Sequence, residues 1–364
     1  MGDLTIGEVE NFWITISPNR RVTTKEKLPV FLTLEEDIGR GNLNNFQIPL
    51  FLNQKVLETA IVEVEPDIEM LRKQKYDFVT TGKFTVNVDN LINIKEVVSS
   101  NTKRSNSVAV IFGVENYTDL PPAPFARNDA EIIKEYFRKR LGIEQVVIYT
   151  NEQVSGFVFD NVFNPDYGEL QKAVLKGQSD LFVFYSGHGV PSKDGENIYL
   201  FPFDGKVARL ETQGYNLNKL YENLEKLEAR SITVFIDACF SGASKASEKI
   251  KSENLVSMKG VKIVAKTRQP WLTNPNFSVF ASSSAEETSL GFDQSKTGLF
   301  TYYLCAGMQG EADEDKDGKI TAGELKNYVT ENVVNMSKKI MGLQTPKFHG
   351  NEDMVLIEYN RGND

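Results

Sequence analysis

Hydrophobic residues fall into two different patterns along the chain, and the pattern changes near residue 100. Before that point, short apolar runs alternate with turn residues at the spacing typical of an all-β domain. The runs are Phe12–Ile16, Val30–Leu34, Gln47–Phe51, Thr59–Val64 and Gly82–Val88. They predict a small immunoglobulin-like β-sandwich over residues 1–100. Since this segment lacks a cluster of His, Cys or carboxylates suited to chemistry, we expect a binding or spacer module.

A polar stretch separates this segment from the rest of the chain, and we predict a linker at residues 101–107. Beyond it, strand-like and helix-like segments alternate. The predicted strands are Val108–Phe112, Val146–Tyr149, Asp180–Tyr185, Ser231–Ile236 and Ser278–Ala281, and the predicted helices cover 128–141, 167–176, 217–227, 298–308 and 325–340. This alternation predicts an α/β domain over residues 108–360, a doubly wound, mainly parallel sheet with helices on both faces.

Two of the predicted strands run into reactive side chains at small-residue turns. Asp180–Tyr185 leads into Ser-Gly-His188-Gly, and Ser231–Ile236 leads into Asp-Ala-Cys239-Phe-Ser-Gly. The whole chain has only two histidines and two cysteines, and one of each lies where open α/β sheets hold their active sites. A thiol and an imidazole at neighbouring strand ends can form a nucleophile and its base. The alternative is that Cys239 is a small buried hydrophobe and His188 a core histidine.

Composition narrows the function classes. The chain has 364 residues, 40% of them hydrophobic, enough for sizeable cores. A net charge of −9 argues against a nucleic-acid partner, and the cysteine count does not make a disulfide framework. We see neither an apolar run long enough for a membrane helix nor a signal peptide. We therefore expect a cytoplasmic protein without an organic cofactor; the oligomeric state is left open, with a monomer favoured.

The two strand-end motifs, in this order, resemble those of the caspase-like cysteine peptidases, especially the metacaspases and their bacterial relatives. The resemblance covers residues 105–350 and implies a caspase-like fold and a thiol protease. Cys239 would attack a peptide carbonyl as a thiolate, while His188 helps to form the thiolate and protonates the leaving amine. The N–H groups of Gly189 and Cys239 would form the oxyanion hole.

The resemblance also implies a pocket for the substrate side chain before the cut. Metacaspase-like members use acidic residues and a serine at positions that correspond here to Asp129, Asp237 and Ser186. Two carboxylates would pair with Arg or Lys and reject Asp. Glu286 or Glu287 would add a further wall to this cleft. The alternative for Asp129 is a role in capping a helix.

Two regions bear on calcium. Metacaspases bind it through aspartates after the histidine motif, but the matching stretches, Gly195–Asn197 and Tyr215–Asn218, carry asparagines, and we expect no strong site there. In contrast, Asp313–Glu324 fits the twelve-residue EF-hand loop. The predicted ligands are Asp313, Asp315, Asp317, the Lys319 carbonyl and Glu324. The alternative is a solvated acidic turn, and a bound ion would serve as a structural staple or a switch.

Caspase-like enzymes often mature by cutting the connection that follows the nucleophile. Here that connection, Ala243–Gln269, is polar and carries seven basic residues against two acids. The candidate cleavage sites are Lys245, Lys249, Lys251, Lys259, Lys262, Lys266 and Arg268. A loop tethered beside the active site has a high effective concentration there, although the same composition suits a merely solvated loop.

The sequence thus predicts a caspase-like cysteine endopeptidase that cuts protein or peptide substrates after Arg or Lys and possesses a β-sandwich at its N-terminus. Two alternatives stay open. One is a caspase-fold peptidase with a different specificity. The other is a catalytically silent scaffold, in which the β domain binds a partner and calcium maintains the shape.

Overall fold

The structure is a computed structural model of the chain. It describes five strands between residues 4 and 62, and then residues 91–239, 267–284, 287–340 and 343–359. The chain divides into two compact units, Met1–Asn87 and Val88–Asp364.

The first unit contains short antiparallel strands. They are β1 (Leu4–Ile6), β2 (Phe12–Thr15), β3 (Phe31–Leu34), β4 (Phe46–Leu52) and β5 (Lys55–Val62). One sheet has the order β1–β4–β5, and β2 pairs with β3. These strands overlap four of the predicted ones, whereas the fifth, Gly82–Val88, lies outside the described residues. The described residues do not support a sandwich of packed sheets, so the immunoglobulin-like module stays a prediction.

The second unit alternates strands with helices. Its strands are β6 (Arg104–Gly113), β7 (Ile143–Thr150), β8 (Asp180–Pro191), β9 (Ile198–Leu200), β10 (Tyr215–Asn216), β11 (Ser231–Cys239), β12 (Phe277–Ala281), β13 (Gly291–Phe292), β14 (Thr297–Gly298), β15 (Lys319–Thr321), β16 (Lys347–His349) and β17 (Val355–Glu358). Its helices are α1 (Ala126–Lys139), α2 (Gly156–Phe163), α3 (Glu169–Ala173), α4 (Leu210–Gln213), α5 (Leu217–Lys226), α6 (Leu299–Ala306) and α7 (Ala322–Lys339). The sequence analysis did not identify α2.

The central sheet is mainly parallel, as predicted. Strands β7, β6, β8, β11 and β12 lie side by side in that order and are all parallel. At one edge, β16 pairs antiparallel with β12. Near its carboxyl end, β8 also pairs antiparallel with β9, which in turn pairs with β10. The caspase-like α/β fold class is therefore confirmed for this unit.

Helices cover both faces of the sheet. The central strands are therefore buried on both sides, which explains why their sequences are continuous apolar runs. In β8, Phe182 and Phe184 belong to a core shared with helices α1, α6 and α7. The alternating residues Leu181, Val183 and Tyr185 belong to a second core shared with α2 and α5. A strand buried on both faces has no polar side to alternate with the apolar one.

Strand β8 is longer than predicted, and its extra length changes the setting of the histidine. The sequence analysis ends the strand at Tyr185 and expects a turn. Instead the strand continues through the Ser-Gly-His188-Gly motif to Pro191, because β9 pairs with its last residues. Strand β11 likewise runs to Cys239. Both reactive residues therefore lie on regular strands with a defined register.

The last part of the predicted linker belongs to the α/β unit. Arg104 opens β6 by pairing with Ile143 of β7, and its guanidinium contacts the Asp180 carboxylate at 3.0 Å. Arg230 donates to the same carboxylate from Nε and Nη2. Burial acts to raise the pKa of Asp180, but hydrogen bonds from Arg230 and Ser231 and the Arg104 charge outweigh it and hold the pKa below its usual value. The start of the sheet is thus tied by a largely buried ion pair.

Among the described residues, no helix has both the length and the apolar character needed to cross a bilayer.

Candidate active site

His188 and Cys239 lie next to each other at the carboxyl end of the sheet. They are direct register partners on the adjacent parallel strands β8 and β11. Both are almost fully buried, with 2% and 1% of their surface exposed. The fold therefore brings together the two residues that the sequence predicts as base and nucleophile.

One ring nitrogen of His188 is held by a main-chain carbonyl. His188 Nε2 lies 2.8 Å from the carbonyl oxygen of Pro121. A carbonyl can only accept a hydrogen bond, so Nε2 carries the proton of the neutral ring. Nδ1 is then the nitrogen with a lone pair, which is the property that a general base requires.

The Cys239 thiol is covered by the main chain of Ser289. The Ser289 N–H donates to Cys239 Sγ at 2.9 Å, and the thiol donates to the Ser289 carbonyl at 3.2 Å. The thiol is thus held in a closed arrangement. An attack on a substrate carbonyl requires Ser289 to move away from the sulfur.

Two carboxylates converge beside Gly298, and one of them belongs to the strand of the nucleophile. Asp129 of α1 accepts hydrogen bonds from Ser186 Oγ at 2.7 Å and from the Gly298 N–H at 2.8 Å. Asp237 accepts from Ser289 Oγ at 2.5 Å and from Thr301 Oγ1 at 2.7 Å. Both aspartates are fully buried. A Cβ at Gly298 would collide with Asp237 Oδ2, so only glycine fits between the two acids.

The predicted pocket residues do not all join this cluster. Asp129, Asp237 and Ser186 do, and the alternative of Asp129 as a helix cap does not hold, because α1 begins after Phe125 and Asp129 lies inside its first turn. The Glu287 carboxylate instead accepts from the N–H and hydroxyl of Thr345, at 2.7 and 2.9 Å. These hydrogen bonds attach the segment around Glu287 to Thr345. Glu286 lies outside the described residues.

The predicted oxyanion donors are main-chain groups of the same strand ends. Gly189 is the register partner of Leu200 in β9, and Cys239 is the last residue of β11. Both N–H groups therefore belong to the sheet edge that carries the thiol.

Several functional neighbours carried no signal in the sequence. Ser289 and Thr301 are ordinary polar residues in apolar surroundings, and Tyr117 precedes the first helix in a loop. Tyr117 accepts a hydrogen bond from the His188 N–H at 2.8 Å, and its ring lies 4.7 Å from the imidazole. The Gly298 that opens α6 was the one available clue, because glycine at a helix start is compatible with close approach of another chain segment.

The second histidine and the second cysteine have other surroundings. The His349 ring stacks on Trp271 at 4.5 Å with an interplanar angle of 10°. Cys305 is buried within α6, and burial raises the pKa of its thiol well above the usual value. Neither residue contributes to the cluster around Cys239.

The acidic loop brings three of its predicted calcium ligands close together. Side-chain oxygens of Asp313, Asp315 and Asp317 lie within 4.8 Å of one another. Asp313 accepts from the N–H of Asp317 and of Gly318, both at 3.1 Å. The Glu324 carboxylate does not face them in this arrangement; it caps α7 by accepting from the Thr321 N–H at 2.8 Å.

The rest of the loop is held by the C-terminal strand. Lys319 opens β15, which pairs antiparallel with β17. Tyr359, just after β17, donates its hydroxyl to Asp313 at 2.7 Å. The other stretches considered for calcium, Gly195–Asn197 and Tyr215–Asn218, are joined by a hydrogen bond between side-chain amides. In it, Asn216 donates to Asn197 at 3.1 Å.

Most of the predicted cleavage segment lies outside the described residues, including the six candidate lysines Lys245, Lys249, Lys251, Lys259, Lys262 and Lys266. Arg268 is described. Its guanidinium pairs with Glu225 of α5 at 2.8 Å, and its N–H donates to Asn218 at 2.6 Å. Arg268 is thus fastened to the second unit, which disfavours it as a cleavage site.

Residues 106–353 match the family model of the caspase domain. Among solved structures, the chain is similar to caspase-1 from Spodoptera frugiperda, with 14% identity and a TM-score of 0.45 over 75% of this chain and 98% of that one. A structural genomics target from Geobacter sulfurreducens matches at 18% identity and a TM-score of 0.46, covering 70% of this chain and 99% of that one. The comparison with curated proteins gives no match.

Proposed function

Because the chain belongs to the caspase-domain family of cysteine peptidases, we propose that it is an endopeptidase that cuts proteins after Arg or Lys through a Cys239–His188 dyad. The observation that carries the proposal is the register of these two residues on adjacent parallel strands. The family accounts for a peptidase with protein substrates. The dyad, the specificity and the relation to metacaspases are our own inferences.

In the proposed reaction, His188 Nδ1 takes the proton of the Cys239 thiol, and the thiolate attacks the substrate carbonyl carbon. The N–H groups of Gly189 and Cys239 stabilise the negative oxygen that forms. The imidazolium then returns the proton to the leaving amine as the peptide bond breaks, which leaves a thioester on Cys239. Water, deprotonated by His188, hydrolyses the thioester and restores the thiol. The Pro121 carbonyl supports the imidazolium by accepting the Nε2 proton in a hydrogen bond.

The proposed basic specificity rests on Asp129 and Asp237. Both side chains are buried, Asp237 on the strand that carries Cys239 and Asp129 on α1. Two neighbouring carboxylates favour a substrate guanidinium or ammonium, whereas an Asp side chain would bring a further negative charge into the same place.

We propose that the Asp313–Glu324 loop binds Ca²⁺ through the three aspartates, the Lys319 carbonyl and Glu324. The support is the clustering of the aspartate oxygens and the hard oxygen donors that calcium prefers. Glu324 would exchange its capping bond for the ion. The described contacts of the loop are with the C-terminal strand and with Tyr359, and a bound ion would stabilise this part of the fold.

Three further proposals follow from the same premise. Self-processing would occur in the connection after Cys239, at one of its lysines. A reducing compartment such as the cytoplasm suits a thiolate enzyme. The N-terminal strands would belong to a binding module. The rival proposal, a silent scaffold, is favoured by the closed thiol, which Ser289 covers.

A peptide panel and a mass measurement test the proposal together. Peptides that differ only in the residue before the cut, Arg, Lys, Ala or Asp, are incubated with wild type, Cys239→Ala, His188→Ala and the matched control Cys305→Ala. We expect turnover after Arg and Lys by wild type and Cys305→Ala alone. Turnover by Cys239→Ala would refute the mechanism, and a preference for Asp would refute the pocket. No turnover, together with no labelling of Cys239 by a thiol-directed probe, would favour the scaffold.

A further inference from the structure

The main chain of His188 is enclosed by two tyrosine hydroxyls. The His188 N–H donates to the Tyr117 hydroxyl at 2.8 Å, and the Tyr185 hydroxyl donates to the His188 carbonyl at 2.8 Å. The two hydroxyls are also hydrogen-bonded to each other. The Tyr185 hydroxyl gives its one proton to the His188 carbonyl, so the Tyr117 hydroxyl is the donor between the two. The His188 N–H, the two tyrosine hydroxyls and the His188 carbonyl are thus joined in one continuous chain of hydrogen bonds.

This chain of hydrogen bonds explains a feature of the Ser-Gly-His-Gly motif. A Cβ at Gly187 would lie 2.5 Å from the Tyr117 hydroxyl and 2.8 Å from the Tyr185 hydroxyl. The two hydroxyls can meet only because residue 187 has no side chain. Gly189 follows the histidine as well, and glycines on both sides leave the main chain of His188 with more conformational freedom than other residues would.

The tyrosines contribute more than main-chain bonds. The Tyr117 ring lies 4.7 Å from the imidazole, tilted by 42°. Burial raises the pKa of both tyrosines, so both hydroxyls stay protonated and able to donate. The imidazole is therefore supported from three directions: by the Tyr117 ring, by the Pro121 carbonyl at Nε2, and through its own clamped main chain.

We propose that Tyr117 and Tyr185 are positioning residues for the base. Their hydroxyls hold the flexible main chain of His188 so that Nδ1 stays directed at the neighbouring strand of Cys239. The inference rests on the proposed function, in which His188 is the base. The hydroxyls themselves touch neither substrate nor sulfur in this scheme and act only through the histidine.

The test uses Tyr117→Phe and Tyr185→Phe in the full chain, because phenylalanine keeps the ring and removes only the hydroxyl. The matched control is Tyr215→Phe: Tyr215 is also buried, and its hydroxyl accepts from Asn223 at 3.0 Å. Each variant is measured for melting temperature, for kcat and KM on an Arg peptide, and for the pH titration of its histidine rings by NMR. The chain has only two histidines, so a His349→Asn variant assigns both signals.

We expect Tyr117→Phe to lower kcat by about 10- to 100-fold with KM nearly unchanged. This loss is smaller than the loss expected from removing the general base altogether. Its His188 signals should shift in position and in titration midpoint. Tyr185→Phe should have a smaller effect, because the His188 carbonyl keeps a hydrogen bond from the Phe201 N–H. Tyr215→Phe should change neither kcat nor the His188 signals.

Unchanged His188 signals in Tyr117→Phe would overturn the inference, whether or not kcat falls, because any loss would then not act through the histidine. An equal loss in Tyr215→Phe would also overturn it, since that result indicates general destabilisation. A wild type that cuts no peptide would refute the proposed function but not this test. In that case a shifted His188 titration supports the positioning role and an unshifted one refutes it.

Discussion

Asp237→Asn tests the proposed specificity with the smallest change in shape. The side chain is fully buried and accepts hydroxyl hydrogen bonds from Ser289 and Thr301, at 2.5 and 2.7 Å. Asparagine has the same outline, but one of its two polar ends is a donor. Hydroxyl groups rotate to donate or accept, so one of the two neighbours can reverse its bond and the fold should be kept.

The substitution should weaken the recognition of an Arg substrate more than it lowers the stability of the fold. A hydrogen bond to a charged group contributes about 1.5–3 kcal/mol, which corresponds to a loss of about 10- to 150-fold in kcat/KM for an Arg peptide. The loss should stay below that of removing the whole pocket, because Asp129 keeps its charge. A neutral isostere of Arg, citrulline, should be much less affected, since it never had the charge to lose.

The assay is the ratio of kcat/KM for Arg to that for citrulline in otherwise identical peptides. Asp293→Asn is the matched control, because it makes the same substitution at a side chain that is 84% exposed. The ratio should fall in Asp237→Asn and stay constant in the control. If Asp237→Asn keeps the wild-type ratio within about threefold while its melting temperature stays within about 3 °C, the pocket is assigned wrongly.

Four further outcomes are expected. Calcium should raise the melting temperature of the metal-stripped wild type by mass action, and Asp313→Ala combined with Glu324→Gln should remove that gain; an unchanged wild-type melting temperature would speak against the site. Fragments of about two thirds and one third of the chain should appear on incubation of wild type and be absent from Cys239→Ala, since a tethered loop meets its own active site at high effective concentration; a wild type that is fully active while intact would contradict self-processing. Asp180→Asn should destabilise the fold by about 1–3 kcal/mol at neutral pH, because Arg104 and Arg230 then lose hydrogen bonds to a buried, charged acceptor. The pKa of Asp180 is lowered on folding, so its contribution is complete above the unfolded value of about 3.9 and is lost as the pH falls through the lower folded value; the gap in melting temperature between variant and wild type should therefore narrow in acid, and a gap that does not depend on pH would refute this account. Cys305→Ala should leave kcat unchanged, and a large loss of kcat at an unchanged melting temperature would contradict its assignment to packing.

Local patterns were enough to predict the sheet and the neighbouring positions of His188 and Cys239. The strands around Asp180–Tyr185 and Ser231–Ile236 are buried on both faces, so their apolar runs are unmistakable. Parallel strands bring their carboxyl ends to one edge, and a chain with so few histidines and cysteines offers few other pairings. The boundaries were less certain. The extension of β8 to Pro191 depends on pairing with β9, which no residue of the motif itself indicates.

For the proposed pocket, in contrast, local patterns were not enough to decide the roles of the acidic residues. The sequence left Asp129 open between a cap and a ligand, because both roles suit an acid at the start of a helix. The distinction comes from Gly298, which is 169 residues away and donates to Asp129. Glu287 was assigned to the pocket from its neighbourhood in the chain, and it was Thr345, 58 residues away, that drew its carboxylate elsewhere. Contacts at such separations leave no trace in local composition.

The sequence by itself determined the fold class, the main strands of the α/β unit and the residues able to perform thiol chemistry, since burial and residue chemistry act over a few neighbouring positions. The EF-hand spacing belongs to the same group, because loop geometry is local. Only the tertiary structure decided that Ser289 covers the thiol, that Tyr117 and Tyr185 enclose the histidine, and that Asp129 faces Asp237. These arrangements depend on how α1, β8, β11 and α6 pack together, and packing is a property of the whole core rather than of any one segment.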